Sequence, residues 1–366
     1  MAPTPPAGAP SRRIRVLVAE DSTTVRRLLV ELLRGDPAFE VVAEAGNGVE
    51  AVAQAIALRP DLVTMDIHMP LLDGLDATKE IMREAPTPIL IVSSVATTSD
   101  VGLGFSATQA GALMVVPKPE HPHHPDFARD REHFLAMARL MAGVKVVRRT
   151  ARRDDAATTT TGGTTRRFTV RQPARAIAIG TSTGGPAALR RLLLDVPARY
   201  PAPILVVQHI ARGFVGGLAE WLGANLALGV TVARDGMPLR AGVVHLAPDD
   251  RHLGVVADAS SPFGRVALLD RDPVGGFRPS VTTLFESCAT VFGARLAAVV
   301  LTGMGSDGVA ALEAVRRAGG RVLAQDEASS VVFGMAQEAV RAGAVDELLP
   351  LDALGRRLVE LVEEPA

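Results

Sequence analysis

Short β-branched apolar runs alternate, over the first third of the chain, with stretches whose apolar residues recur every three or four positions. The runs at 14–19, 40–45, 62–65, 88–93 and 112–116 predict strands, and the stretches at 24–34, 49–58, 77–83 and 101–110 predict helices. Alternation of this kind predicts a parallel sheet covered on both faces, here a five-stranded, doubly wound α/β domain. The alternation stops near residue 144 and resumes near 175. Beyond that point 176–179, 204–208 and 296–301 predict buried strands, and 186–194, 217–226, 281–292 and 309–318 predict helices. Shorter runs at 243–246, 253–256 and 266–269 predict a β-rich excursion within this second, Rossmann-like α/β domain. No internal repeat is visible.

Length and charge sharpen that division. A chain of 366 residues suits two domains at roughly 100–200 residues each, and its 48% hydrophobic and 22% charged residues suit folded ones. The net charge of −1 argues against a general attraction to nucleic acid or membrane. It is uneven, however. Residues 1–140 hold 13 basic and 18 acidic groups, 141–175 hold 9 and 2, and 176–366 hold 17 and 20. The basic excess falls on a Thr- and Gly-rich stretch with Arg148, Arg149, Arg152, Arg153, Arg166 and Arg167. The expected organisation is a disordered start (1–11), a first domain (12–143), a basic flexible linker (144–174) and a second domain (175–366). The linker reads as a solvated tether, with contact to RNA, lipid head groups or an acidic partner as the alternative. The lone Cys288 excludes an internal disulfide and fits a reducing, cytoplasmic compartment. The Pro- and Ala-rich start lacks a leader pattern, and no apolar run reaches the roughly 18 residues of a membrane span.

In a doubly wound sheet, ligands bind outside the carboxyl ends of the strands. In the first domain those ends carry Glu20-Asp21, Asp66, Ser93 and Lys118. Three carboxylates in one crevice repel unless a hard cation lies among them, and Mg²⁺ suits a small oxygen site. A carboxylate beside Mg²⁺ can accept a phosphoryl group whose oxygens Lys118 and Ser93 would meet. Any one of these acids alone could simply cap a helix. Together with Met65-Asp66-Ile67-His68-Met69-Pro70, Asp73-Gly74 and Lys118-Pro119, they resemble the receiver domain of bacterial response regulators. That resemblance implies Asp66 as phosphoacceptor. It also implies Mg²⁺ on Asp21, Asp66 and the His68 backbone carbonyl with help from Glu20, and phosphoryl contacts from Ser93 and Lys118. Val115 stands where many receivers have an aromatic switch residue.

In the second domain the strand at 176–179 runs into Gly180-Thr181-Ser182-Thr183-Gly184-Gly185, a Gly-x-Ser-x-Gly elbow before a helix. A phosphate-binding turn or a plain N-cap serine is the alternative. His209 follows the next buried strand, and Asp307 follows the strand at 296–301. Adjacent parallel strands would join the three tips, with Ser182 as nucleophile, His209 as base and Asp307 orienting the imidazole. The order Ser, His, Asp disfavours α/β-hydrolases. Gly303, Gly305 and Gly308 also form a dinucleotide fingerprint, but Asp307 would set a carboxylate where pyrophosphate should lie.

With Gln208-His209, Ala247-Pro248-Asp249-Asp250, Arg278-Pro279-Ser280-Val281, the run 301–308 and the run 324–330, this region resembles the chemotaxis protein-glutamate methylesterase family. The resemblance implies hydrolysis of γ-glutamyl methyl esters and deamidation of glutamines on cytoplasmic helices of methyl-accepting chemoreceptors. It also implies backbone oxyanion donors at Thr183 and Met304 and no cofactor for hydrolysis. A chemotaxis histidine kinase would phosphorylate Asp66 and relieve restraint of the hydrolase, which is expected to be a monomer. Two departures, Thr282 in a usually acidic position and the long linker, are expected to bear on receptor choice and interdomain docking rather than on chemistry. The rivals are a non-catalytic phosphorylation-dependent adaptor and a small-ester esterase. His121, His123 and His124 are expected in a solvated loop, Cys288 in the core, and Trp221 and Phe214 packing the helix after His209.

Overall fold

The computed structural model describes residues 12–93, 98–144 and 172–362. The expected disordered start and nearly all of the expected linker lie outside the described residues. The chain divides into two compact units.

The chain first alternates β1 (Ile14–Ala19), α1 (Thr23–Arg34), β2 (Phe39–Ala45), α2 (Gly48–Leu58), β3 (Leu62–Met65), α3 (Gly74–Glu84), β4 (Ile89–Ser93), α4 (Thr98–Ala110), β5 (Met114–Pro117) and α5 (Phe127–Ala142). The sheet order is β2-β1-β3-β4-β5, parallel throughout. β3 and β4 are buried along their whole length, as continuous apolar runs in a two-faced sheet should be. Asn47 and Asp73 start α2 and α3 by accepting from the amides of Glu50 and Asp76, so both helices begin close to the strand tips. The fifth strand starts two residues later than its apolar run predicts, because the chain is still turning at Gly111, whose φ is +120°. α5 escaped the pattern reading: it buries Phe134, Leu135, Ala138 and Met141 on one stripe, and charged residues occupy much of the rest.

The second unit comprises β6 (Ala176–Thr181), α6 (Gly185–Leu193), β7 (Ile204–Gln208), α7 (Val215–Asn225), β8 (Gly229–Val232), β9 (Val243–Leu246), β10 (His252–Asp258) and β11 (Ser261–Leu269). It continues with α8 (Val281–Phe292), β12 (Leu296–Val300), α9 (Val309–Arg317), β13 (Arg321–Gln325), α10 (Met335–Arg341), β14 (Glu347–Leu349) and α11 (Leu351–Val362). Among the described residues its main sheet has seven parallel strands in the order β14-β13-β12-β6-β7-β9-β8. The predicted excursion is smaller than expected. The run at 243–246 is β9, inside the main sheet, and only β10 and β11 stand apart as an antiparallel pair. β8 has no fully buried residue and β14 has three residues, so neither shows as an apolar run. Cys288, Phe214 and Trp221 are buried, and burial pushes the Cys288 thiol far above its ordinary pKa.

From β6 the chain builds outward through β7 and β9, then returns to lay β12 on the other side of β6. β6 and β12 therefore flank the point where strand order reverses, and a crevice opens there at the carboxyl ends of the strands. In the first sheet β1 and β3 flank the equivalent point.

Candidate active site and phosphoacceptor site

Ser182 leaves β6 directly at the reversal point. Its amide donates to Thr302 O at 3.1 Å, and its carbonyl accepts from Gly185 N at 2.9 Å as the turn closes into α6. Gly184 takes a φ of +76°, a left-handed conformation that suits glycine, and Pro186 sits in the first turn of the helix. Gly303, after β12, brings its backbone against the serine. A Cβ there would lie 2.7 Å from Ser182 Cβ and 2.9 Å from Ser182 N. Gln208, the last residue of β7, donates through Nε2 to Ser182 O at 2.7 Å and to His209 O at 2.8 Å. His209 N donates to Thr181 O at 2.9 Å. These bonds fix the backbones of Ser182 and His209 to one another.

His209 Nε2 lies 2.9 Å from Asp307 Oδ2. Asp307 also accepts from Val281 N at 2.7 Å, Thr282 N at 3.1 Å, and the hydroxyls of Ser280 and Thr282, each at 2.8 Å. Its carboxylate thus occupies the N-terminus of α8, where unpaired amides and the helix dipole favour negative charge. Burial alone would raise its pKa, but the bonds from His209, Ser280 and Val281 outweigh it and bring the group down to about 2. An ionised carboxylate can only accept, so Nε2 is the donor in this pair, and in the neutral imidazole the lone pair then lies on Nδ1. Nδ1 is buried and has no hydrogen-bond partner among the described residues.

The ring of Phe277 stacks on the imidazole with centroids 4.1 Å apart and planes 4° from parallel. It is carried on a turn in which Val274 and Phe277 pair across Gly275 and Gly276. Ser182 Oγ makes no hydrogen bond to His209 among the described residues; such bonds commonly tighten only once substrate is bound. The amides of Thr183 and Met304 donate to no other group among the described residues.

Phe277, Ser280 and Thr282 had no assigned chemistry from sequence. Thr282, expected to bear on docking rather than on chemistry, has its hydroxyl on the carboxylate that holds His209. Ser280 following Arg278-Pro279 at a helix start was the available signal, since an N-cap hydroxyl and the first amides must face the same neighbour. The run 303–308 is likewise committed, with Gly303 against Ser182 and Asp307 on α8, which leaves no open turn for pyrophosphate.

In the first unit Glu20 and Asp21 follow β1, Asp66 follows β3, Ser93 ends β4 and Lys118 follows β5. Glu20, Asp66 and Ser93 are buried, while Asp21 and His68 are exposed. Lys118 Nζ lies 2.9 Å from Glu20 Oε2 and 3.1 Å from Asp66 Oδ1. Burial, followed by the charge of Asp66, pushes Glu20 up to about 7 in spite of Lys118. Asp66 is also raised by burial, with Lys118 opposing. One ligand oxygen from each of Glu20, Asp21 and Asp66 falls within 4.8 Å of the others, an all-carboxylate set that fits a hard divalent cation. Gly74 makes close packing possible here, since a Cβ would come within 1.9 Å of Asp66 O. Among the described residues His121, His123 and His124 form no group with metal-ligand spacing.

Residues 177–358 match the CheB methylesterase family, and residues 16–124 match the response regulator receiver domain. A protein-glutamate methylesterase/protein-glutamine glutaminase of Myxococcus xanthus is 50% identical over 94% of this chain and 96% of its own length. One of Nitrosospira multiformis is 42% identical over 96% of this chain and 98% of its own. A crystal structure of the Thermotoga maritima CheB methylesterase catalytic domain, 38% identical, covers 52% of this chain and 99% of its own, with a TM-score of 0.49. The chain belongs to the CheB methylesterase family, in the form that carries a response regulator receiver domain ahead of the methylesterase domain.

Proposed function

We propose that the chain hydrolyses γ-glutamyl methyl esters and glutamine side-chain amides on chemoreceptor helices, and that phosphorylation of Asp66 raises the rate. Ser182 Oγ attacks the acyl carbon while His209 Nδ1 takes its proton. The imidazolium that forms is held by Asp307 through Nε2. Negative charge on the tetrahedral oxygen meets the amides of Thr183 and Met304; losing one such preorganised donor typically costs about 3–4 kcal/mol. Methanol or ammonia leaves with the proton from Nδ1, and a glutamyl-serine ester remains. Water repeats the sequence, freeing a glutamate carboxylate and restoring Ser182. Each step uses side chains and amides of this chain.

In the receiver, Asp66 accepts the phosphoryl group of a histidine kinase, with Ser93 and Lys118 contacting its oxygens. Mg²⁺ would be held by Glu20, Asp21, Asp66 and the His68 carbonyl, and when bound it neutralises charge on the phosphoryl oxygens. The domains run 12–143 and 175–366, with 144–174 as tether. No helix among the described residues is long and apolar enough to cross a membrane. The protein is taken to act in the cytoplasm as a monomer. The observation that carries the reading is the His209–Asp307 bond beside Ser182 at the strand-order reversal. Methanol release from methylated receptor tests it: equal rates in wild type and Ser182→Ala would overturn the hydrolase, and an unaltered response to phosphodonor in Asp66→Ala would overturn the control.

A further inference from the structure

We propose that Thr282 is a positioning residue for the His209–Asp307 pair, an inference that rests on the hydrolase reading above. Thr282 reaches the carboxylate twice, through its amide at 3.1 Å and its hydroxyl at 2.8 Å, both on Oδ1. The same hydroxyl oxygen accepts from Gly308 N at 2.8 Å. One side chain therefore ties the first turn of α8 to Asp307 and to the residue immediately after it. This matters because a carboxylate can rotate about its Cβ–Cγ bond. Oδ1 pinned by the hydroxyls of Ser280 and Thr282 leaves Oδ2 to His209 Nε2 and the Val281 amide. The imidazole tautomer follows, because only an ionised, correctly turned Oδ2 keeps the proton on Nε2 and the lone pair on Nδ1.

The groups facing Asp307 are His209 and the neutral donors of α8. The other titratable side chain tied to this cap is His252, whose Nδ1 accepts from Ser280 N at 3.2 Å. Valine keeps the shape of threonine but supplies neither donor nor acceptor. With one donor lost, Asp307 becomes more basic and pairs more tightly with the imidazolium. The acidic limb of the pH–rate profile should therefore move to higher pH.

The test measures methanol release by the full chain on methylated receptor, at saturating phosphodonor, for wild type, Thr282→Val, Thr282→Ser and Ser182→Ala. The expected result for Thr282→Val is roughly a tenfold fall in kcat with KM nearly unchanged and an upward shift of the acidic limb. Thr282→Ser should return most of the rate and the original limb. If Thr282→Val does not fold, Thr282→Ala is compared with Thr282→Ser in the same assay. Wild-type kinetics in the hydroxyl-less variant, or a loss that serine does not recover, overturns the positioning role while an inactive Ser182→Ala leaves the hydrolase standing. Activity retained in Ser182→Ala overturns the hydrolase itself.

Discussion

Two buried carboxylates at strand ends have been pushed in opposite directions. Glu20, fully buried in the first unit, is raised to about 7, and Asp307, its side chain only 3% exposed in the second, is lowered to about 2. Burial raises both, so burial does not account for the difference between them. The neighbours do. Glu20 sits beside another carboxylate and shares one lysine with it, whereas Asp307 receives five hydrogen bonds and has no like charge among its donors. The first arrangement is short of positive charge and suits a divalent cation and a phosphoryl group. The second is already complete, and near neutral pH its charge is available to one imidazole.

Breaking the second arrangement should have the largest effect. Asp307→Asn keeps the shape but lets an amide face Nε2, reversing the tautomer preference; kcat should fall roughly 10³- to 10⁴-fold in a methanol-release assay. Placing a methyl on Gly303 comes next. Its Cβ would press on Ser182 Cβ, Ser182 N and Met335 Sδ, displacing Ser182 by a fraction of an ångström, and Gly303→Ala should lose on the order of 10²-fold in kcat with a smaller effect on folding.

Stability should report the two carboxylates with opposite signs. The folded pKa of Asp307 lies below the ordinary value of 3.8, so its contribution is present above about pH 4 and is lost as pH falls through about 2. A depression of that size corresponds to about 2 kcal/mol. Urea unfolding of Asp307→Asn should therefore show a deficit near neutral pH that narrows in acid. Glu20 is raised, so its contribution is present below about pH 4.5 and is lost as pH rises through about 7. Glu20→Gln should accordingly stabilise the receiver transition above pH 7 in Mg²⁺-free buffer, and Mg²⁺ should stabilise wild type more than the variant. The smallest effect belongs to Phe277. Its ring stacks on the His209 imidazole, and Phe277→Leu should cost a few-fold in kcat.

Much of this was legible in the sequence, for a definite reason. A buried parallel strand announces itself as an apolar run, and the residue after it must lie at the sheet's carboxyl edge. Ser182, His209, Glu20, Asp66 and Lys118 could be placed by that rule, and Asp307 by the glycine-rich turn that leads from β12 into α9. What escaped is whatever reaches the edge from elsewhere. Phe277 comes from a glycine turn 68 residues after His209, and Thr282 from a helix start 25 residues before Asp307. No periodicity marks such contacts. The choice of Nε2 for Asp307 was equally out of reach, because it depends on the angle at which the imidazole meets α8. β14 hid for the plainer reason that three residues cannot show a repeat.

The central claim is that one chain couples a phosphoacceptor aspartate to a serine hydrolase, and a single rate comparison tests it most directly. Initial methanol release from methylated receptor is measured for the full chain with and without acetyl phosphate and Mg²⁺, alongside Ser182→Ala and Asp66→Ala. The expected result is a rate that rises with phosphodonor in wild type, does not rise in Asp66→Ala, and is absent in Ser182→Ala under both conditions. Methanol release by Ser182→Ala at the wild-type rate, or a phosphodonor response that survives in Asp66→Ala, would contradict it.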